Sequence, residues 1–96
     1  MEKLLIRHYN ACIKRGVITP KTSFIDFVKK IEEEDKELLI EINKETPNYK
    51  LTESVIRETI DSIMVRLNML RFYYIDIEKE LLKNILVQEK RAKLNK

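Results

Sequence analysis

Glycine occurs once and proline twice in 96 residues, tryptophan is missing, and the only cysteine stands at position 12. Each scarcity closes off a class of structure. So little glycine and proline leaves almost nothing from which to build hairpin turns, and a nearly all-helical chain is expected. Cys12 has no partner for an intramolecular disulfide, and no cysteine cluster exists to hold zinc. A reducing cytoplasm is the expected compartment. The opening run Met1 to Ile6 is interrupted by Arg7 and His8, too early for a signal-peptide core, and no apolar run approaches membrane-spanning length. The formal charge of +3 is too small to point to nucleic acid. Most of the excess gathers at Lys90, Arg91, Lys93 and Lys96, without interleaved aromatics, as on a solvated helix end.

Apolar residues make up 44% of the chain and charged ones 36%, the balance of a folded helical domain. The expected architecture is one all-α domain, a four-helix bundle-like protomer. A chain this short builds only a modest core alone, so a dimer that shares its core with a second copy is expected. Helix one covers about residues 2–15, with Leu5, Tyr9, Cys12 and Ile13 at helical spacing and Gly16 as its terminator. Cys12 is read as a small core residue and His8 as an amphipathic surface residue. Helix two opens either at Thr19-Pro20 or at Ser23 with Asp26 three residues on, and runs to about Asn43. Thr52 caps helix three after the turn around Pro47, and Asp76 caps a last helix that reaches about Asn95.

Two features of these helices point to chemistry. The apolar stripe of helix two, formed by Phe24, Phe27, Val28, Ile31, Leu38, Leu39 and Ile42, has a gap between Ile31 and Leu38. Glu34, Glu37 and Glu41 fall along one flank there, while Glu33 points further toward solvent. Helix three carries Ile56, Ile60, Ile63, Leu67 and Leu70 on its main face and a second strip, Val55, Val65 and Met69, on the other side. Glu58 and Asp61 lie within that second strip. Residues three apart share a helix face, so Glu34/Glu37 and Glu58/Asp61 are two carboxylate pairs that converge if the helices pack antiparallel. Such a cluster repels itself unless a cation sits inside it, and hard oxygen ligands suit magnesium, with manganese as an alternative. Arg57 and Arg66 offer the other way to neutralise the acids, by ion pairs. On the last helix Lys83, Asn84, Gln88 and Arg91 lie along one side, placed either to face an anion or to face water.

The run Ile31 to Leu38, with Glu58-Thr59-Ile60-Asp61 twenty residues on, resembles the EExxE and ExxD signature of the MazG-like, all-alpha nucleoside triphosphate pyrophosphohydrolases. Arg15-Gly16, the stretch from Asp61 to Arg66 with Leu67 and Leu70, and Ile75-Asp76-Ile77-Glu78 are similar to that family as well. The resemblance implies an oligomeric helical bundle whose Glu34, Glu37, Glu58 and Asp61 hold magnesium, and hydrolysis of a nucleoside triphosphate between its α and β phosphates. Glu33 and Glu41 are then the spare carboxylates able to orient water or a second ion. Relatives carry Lys, Asn and Arg at steps of four and three on the last helix. This chain reads Asn84, Gln88 and Arg91 there, with Lys83 one place away, which makes Lys83, Asn84 and Arg91 the candidate substrate-binding residues. Tyr73-Tyr74 stand where relatives have a small residue. The rings available to stack on a base are Phe24, Phe72, Tyr73 and Tyr74. Two other classes compete with this enzyme: a helical interaction module with its acids in ion pairs, and nucleic-acid binding through the basic C-terminal residues, which the acidic helices oppose.

Overall fold

The computed structural model describes residues 1–94 and contains four helices: α1 (Glu2–Lys14), α2 (Phe24–Asn43), α3 (Glu53–Phe72) and α4 (Ile77–Leu94). No strand occurs among the described residues, and the all-α, bundle-like expectation holds. The expected helix end at Asn95, and Lys96 of the basic tail, lie outside the described residues.

Local chemistry sets the helix ends. Ser23, rather than Thr19, opens α2 with a reciprocal cap: the Ser23 Oγ accepts from the Asp26 N–H at 3.4 Å, and Asp26 Oδ2 accepts from the Ser23 N–H at 2.9 Å. Thr52 caps α3 by accepting from the Val55 N–H at 3.2 Å, and Asp76 accepts from the Lys79 N–H at 3.1 Å at the start of α4. Gly16 closes α1 at φ 74°, with the Val17 N–H donating to Cys12 O and the Gly16 N–H to Ile13 O. The same pair of bonds ends α3, where the Ile75 N–H donates to Leu70 O and the Tyr74 N–H to Arg71 O. There the left-handed residue is Tyr74, at φ 58°.

Helices α2 and α3 pack antiparallel, as pairs from one end of the interface to the other show. Phe27 meets Phe72 at a ring separation of 5.3 Å, Asp35 Oδ1 accepts from the Ser62 hydroxyl at 2.7 Å, and Glu34 and Glu37 meet Glu58. On α2 the seam runs Phe27, Ile31, Glu34, Leu38. On α3 it runs Val55, Glu58, Ser62, Val65, Met69, Phe72. Both advance in alternating steps of three and four, the spacing that keeps one face against a partner helix. The gap in the α2 stripe is therefore filled by a glutamate in a core position, since Glu34 is only 8% exposed.

The second apolar strip of α3 packs within the chain together with the later part of the main face, whose Leu67 and Leu70 are half-buried. Val55 is buried and Val65 and Met69 are half-buried within the protomer, whereas Ile56, Ile60 and Ile63 of the supposed main face stay about half exposed. The reason is that Ser62 and Asn68, both buried, share the Val55 side and supply the polar partners that α2 and α1 require. Helix α3 is the hub, touching each of the other three helices. Cys12, Ile18 and Phe27 form the core where α1 and its following turn close over α2 and α3, with Tyr9, Met69 and Phe72 against them. Ile13, expected on the buried face of α1, is exposed. Helix α4 touches only α3 and buries none of its residues.

Tyr74 holds a left-handed backbone while its side chain is 97% exposed, so the ring gives no packing in return. Tyr74→Gly is expected to stabilise the fold by about 0.5–1 kcal/mol, the relief of backbone strain less the greater unfolded-state freedom of glycine. Urea denaturation at fixed protein concentration checks this, and a loss of stability would contradict it.

Candidate functional site

Midway along the α2–α3 seam, carboxylate oxygens of Glu34, Glu37 and Glu58 all lie within 4.8 Å of one another. Glu34 enters at its core position, Glu37 follows on the next turn, and Glu58 faces them from α3. Glu34 Oε2 and Glu58 Oε2 are buried and have no hydrogen-bond partner. Asp61, one turn beyond Glu58, is exposed at the edge of the cluster, near enough that its charge acts on Glu34. Of the four expected ligand carboxylates, three converge and the fourth stands beside them.

The nearby cations do not neutralise this group. Arg66, offered by the sequence as a partner for Glu58 or Asp61, instead donates to Asp35 Oδ2 at 2.6 Å and to the Ser62 hydroxyl and carbonyl oxygens at 2.7 Å. Arg57 is exposed and makes no ion pair among the described residues. Only Lys30 reaches in: its Nζ lies 3.3 Å from Glu34 Oε1 and 3.4 Å from Glu33 Oε1. Burial works against the charge on Lys30, but its bonds to Glu34 and Glu33 more than offset that and hold its pKa above the ordinary lysine value.

Burial pushes the Glu34 pKa up. The neighbouring charges of Glu37 and Asp61 push the same way, against the lowering by Lys30. Asp35, the next residue, moves oppositely, held down by its bonds from Arg66 and Ser62. An unpaired buried carboxylate costs several kcal/mol as an order of magnitude, a cost that either protonation of Glu34 or a bound cation would relieve. The donor set, all carboxylate oxygen, fits a hard divalent ion such as magnesium or manganese.

A cavity of about 350 Å³ opens beside the cluster, with Glu34, Asp61 and Lys30 on one side and His8, Asn68 and Arg15 on the other. Apolar side chains, Phe27 and Ile18 among them, line it between these polar groups. Asn68 is 6% exposed, and its Nδ2 lies 3.2 Å from His8 Nδ1 and 3.6 Å from Cys12 Sγ. That same imidazole nitrogen is 3.8 Å from Cys12 Sγ. One nitrogen facing both thiol and amide secures Asn68 and leaves no separate base to activate the cysteine.

The remaining expected site residues stand apart from the cluster. Glu33 is exposed beside Lys30, and Glu41 pairs with Lys44 at 2.8 Å. Lys83, Asn84 and Arg91 are exposed on α4, which does not touch α2, and Lys83 pairs with Glu80 at 3.1 Å. Phe72 and Tyr73 pack with Phe27 at one end of the seam, Phe24 packs on Tyr73, and of these four rings only Phe27 lines the cavity. Lys30, Asn68 and His8 were not singled out as site residues by the sequence. The position of Lys30 one turn before Glu34 was a usable signal. The placing of Asn68 depended on which face of α3 turned inward, and nothing local revealed it.

The titration directions fix a pH dependence. Glu34, with its folded pKa raised above 4.5, lends stability when protonated and loses it as pH climbs through the raised value. Asp35, lowered from 3.8, lends stability above that value and loses it only as pH falls through the lower one. In EDTA the protein is therefore expected to lose Tm as pH rises above the ordinary glutamate range. Glu34→Gln should flatten that slope. Magnesium at about 100 times its Kd should raise the wild-type Tm by more than about 10 °C and that of the Glu34→Gln variant far less. Equal responses in thermal-shift measurements would remove Glu34 from the ion site.

Compared with known proteins, the chain matches no family model, no curated protein and no solved structure.

Proposed function

We propose that this chain is a magnesium-dependent nucleoside triphosphate pyrophosphohydrolase of the MazG-like kind, which cleaves an NTP or dNTP to the monophosphate and pyrophosphate in nucleotide-pool housecleaning. The observation that carries this is the pair of buried, unpartnered oxygens of Glu34 and Glu58 inside one carboxylate cluster at the edge of a cavity. Glu34, Glu37 and Glu58 hold the ion, and Asp61 joins them from the cavity side. Magnesium, or manganese in its place, neutralises phosphate oxygens, acidifies a bound water and favours departure of pyrophosphate.

The cavity is at the small end of the ~300–1,000 Å³ typical of ligand sites and suits the nucleoside portion. Arg15, exposed along its rim, is placed for phosphate oxygens. Of the two spare carboxylates, Glu33, which shares Lys30 with Glu34, is the better candidate to orient water, because Glu41 is committed to Lys44.

A second copy completes the protomer in this proposal. The radius of gyration is 16.2 Å, against about 12 Å for a compact chain of this length. No side chain among the described residues is fully buried. Ile56, Ile60 and Ile63 on α3, and Leu81, Leu82 and Ile85 on α4, are all exposed. A homodimer or dimer of dimers covers them, and Lys83, Asn84 and Arg91 then meet the site only from the partner. A reducing cytoplasm, where Cys12 stays a thiol, suits this role. No helix among the described residues is long and apolar enough to cross a membrane.

The competing class, a non-catalytic interaction module, draws on the Asp35–Ser62–Arg66 network, which shows that one acid of the seam is ion-paired. Pyrophosphate release from a panel of nucleotides separates the two. Turnover is expected with magnesium and not with EDTA, falling at least about 100-fold in Glu34→Gln and Asp61→Asn. Absence of turnover across the panel, with no metal-dependent rise in Tm, would leave the interaction module. Sedimentation should give a mass of two or four chains, reduced in Ile60→Glu; a wild-type monomer at micromolar concentration would contradict the shared core.

A further inference from the structure

Among the described residues Lys30 is the one cation in contact with the carboxylate cluster, and it is held loosely. Its 3.3 and 3.4 Å separations from Glu34 and Glu33 exceed the ~2.7–2.9 Å of a well-formed ammonium–carboxylate bond. It touches neither Glu37 nor Glu58. Glu34, more than nine-tenths buried, keeps its Oε2 without a partner although Lys30 sits on its Oε1. A single positive charge on a flexible four-carbon stem thus occupies the approach to a site built for a denser one. The Lys30 side chain is 39% exposed and also lines the cavity, so its stem has open space on the side away from the acids.

We infer that Lys30 is an exchangeable counter-ion: it neutralises Glu34 when no divalent ion is bound, and moves to a phosphate oxygen of the nucleotide in the cavity when one is. This rests on the proposed metal-dependent hydrolase and adds a residue to its substrate binding. The exchange follows from charge. An ammonium on Glu34 Oε1 and a dication on the free Oε2 share one carboxylate charge and repel at that range, whereas a triphosphate brings new negative charge into the cavity. No bond is made or broken in the exchange, and Lys30 stays protonated throughout.

Removing Lys30 should therefore change two affinities in opposite directions, which loss of a merely structural contact would not do. In Lys30→Met, magnesium chloride alone, titrated by calorimetry without nucleotide, is expected to bind about 3- to 10-fold more tightly than to wild type, as a competitor has gone. The KM for the triphosphate should rise about 10-fold. Lys30→Arg, which keeps the charge, should return both values most of the way, and Lys30→Gln replaces the Met variant if that one does not fold. Magnesium affinity that is unchanged or weaker in both neutral variants overturns the exchange while leaving the hydrolase in place. No magnesium binding to wild type or variants overturns both.

Discussion

Two glutamates occupy positions in the α2–α3 seam that the helical repeat reserves for core side chains, and the rest of the molecule is arranged around that conflict. Glu34 and Glu58 fall where the steps of three and four place Ile31 and Leu38 on one helix and Val55 and Val65 on the other. An apolar seam would close along its whole length. This one closes at the aromatic end, where Phe27 meets Phe72, and is charged at its middle. The α2–α3 interface is the largest in the chain, so its least favourable segment limits the stability of the whole. Proteins break local rules in this way mostly at strained or functional sites, which is what makes this segment the candidate site.

Adjacent residues on α2 show how finely the outcome depends on neighbours. Glu34 and Asp35 stand side by side, yet burial raises the pKa of one while an arginine and a serine lower that of the other. The difference is angular. Asp35 projects to the flank where Arg66 and Ser62 reach it, and Glu34 projects into the seam, where it meets two other carboxylates. The arginine that could have paired the cluster is thus used to fasten the helices next to it, and Lys30 is left as the cation that reaches the acids at the centre among the described residues.

Much of this was legible in the residues. Ser23 with Asp26, Thr52, Asp76 and Gly16 mark helix ends through bonds that involve only neighbours a few positions away, so sequence suffices for them. The gap between Ile31 and Leu38 announced Glu34, and the matched spacing of acids on two helices announced their meeting. What lay hidden depended on packing at a distance. Helix α3 is apolar on both sides, and its inward face was decided by Ser62 and Asn68, polar residues that periodicity counts against burial but that find partners on α2 and α1. Helix α4 shows apolar and basic residues that a sequence places on faces, but among the described residues it meets only α3 and buries none of its side chains.

The exit from α3 has a mechanical consequence. Helix α4 runs for 18 residues, about 27 Å, and is aimed by the bonds around Tyr74, Ile75 and Asp76 at its root rather than gripped along its shaft. It behaves as a lever: a rotation of about 5° at Tyr74 carries the far tip through about 2 Å, given the ~1.5 Å rise per residue. A change of torsion at this one tyrosine would thereby shift the basic side chains of Lys90, Arg91 and Lys93 at the far end.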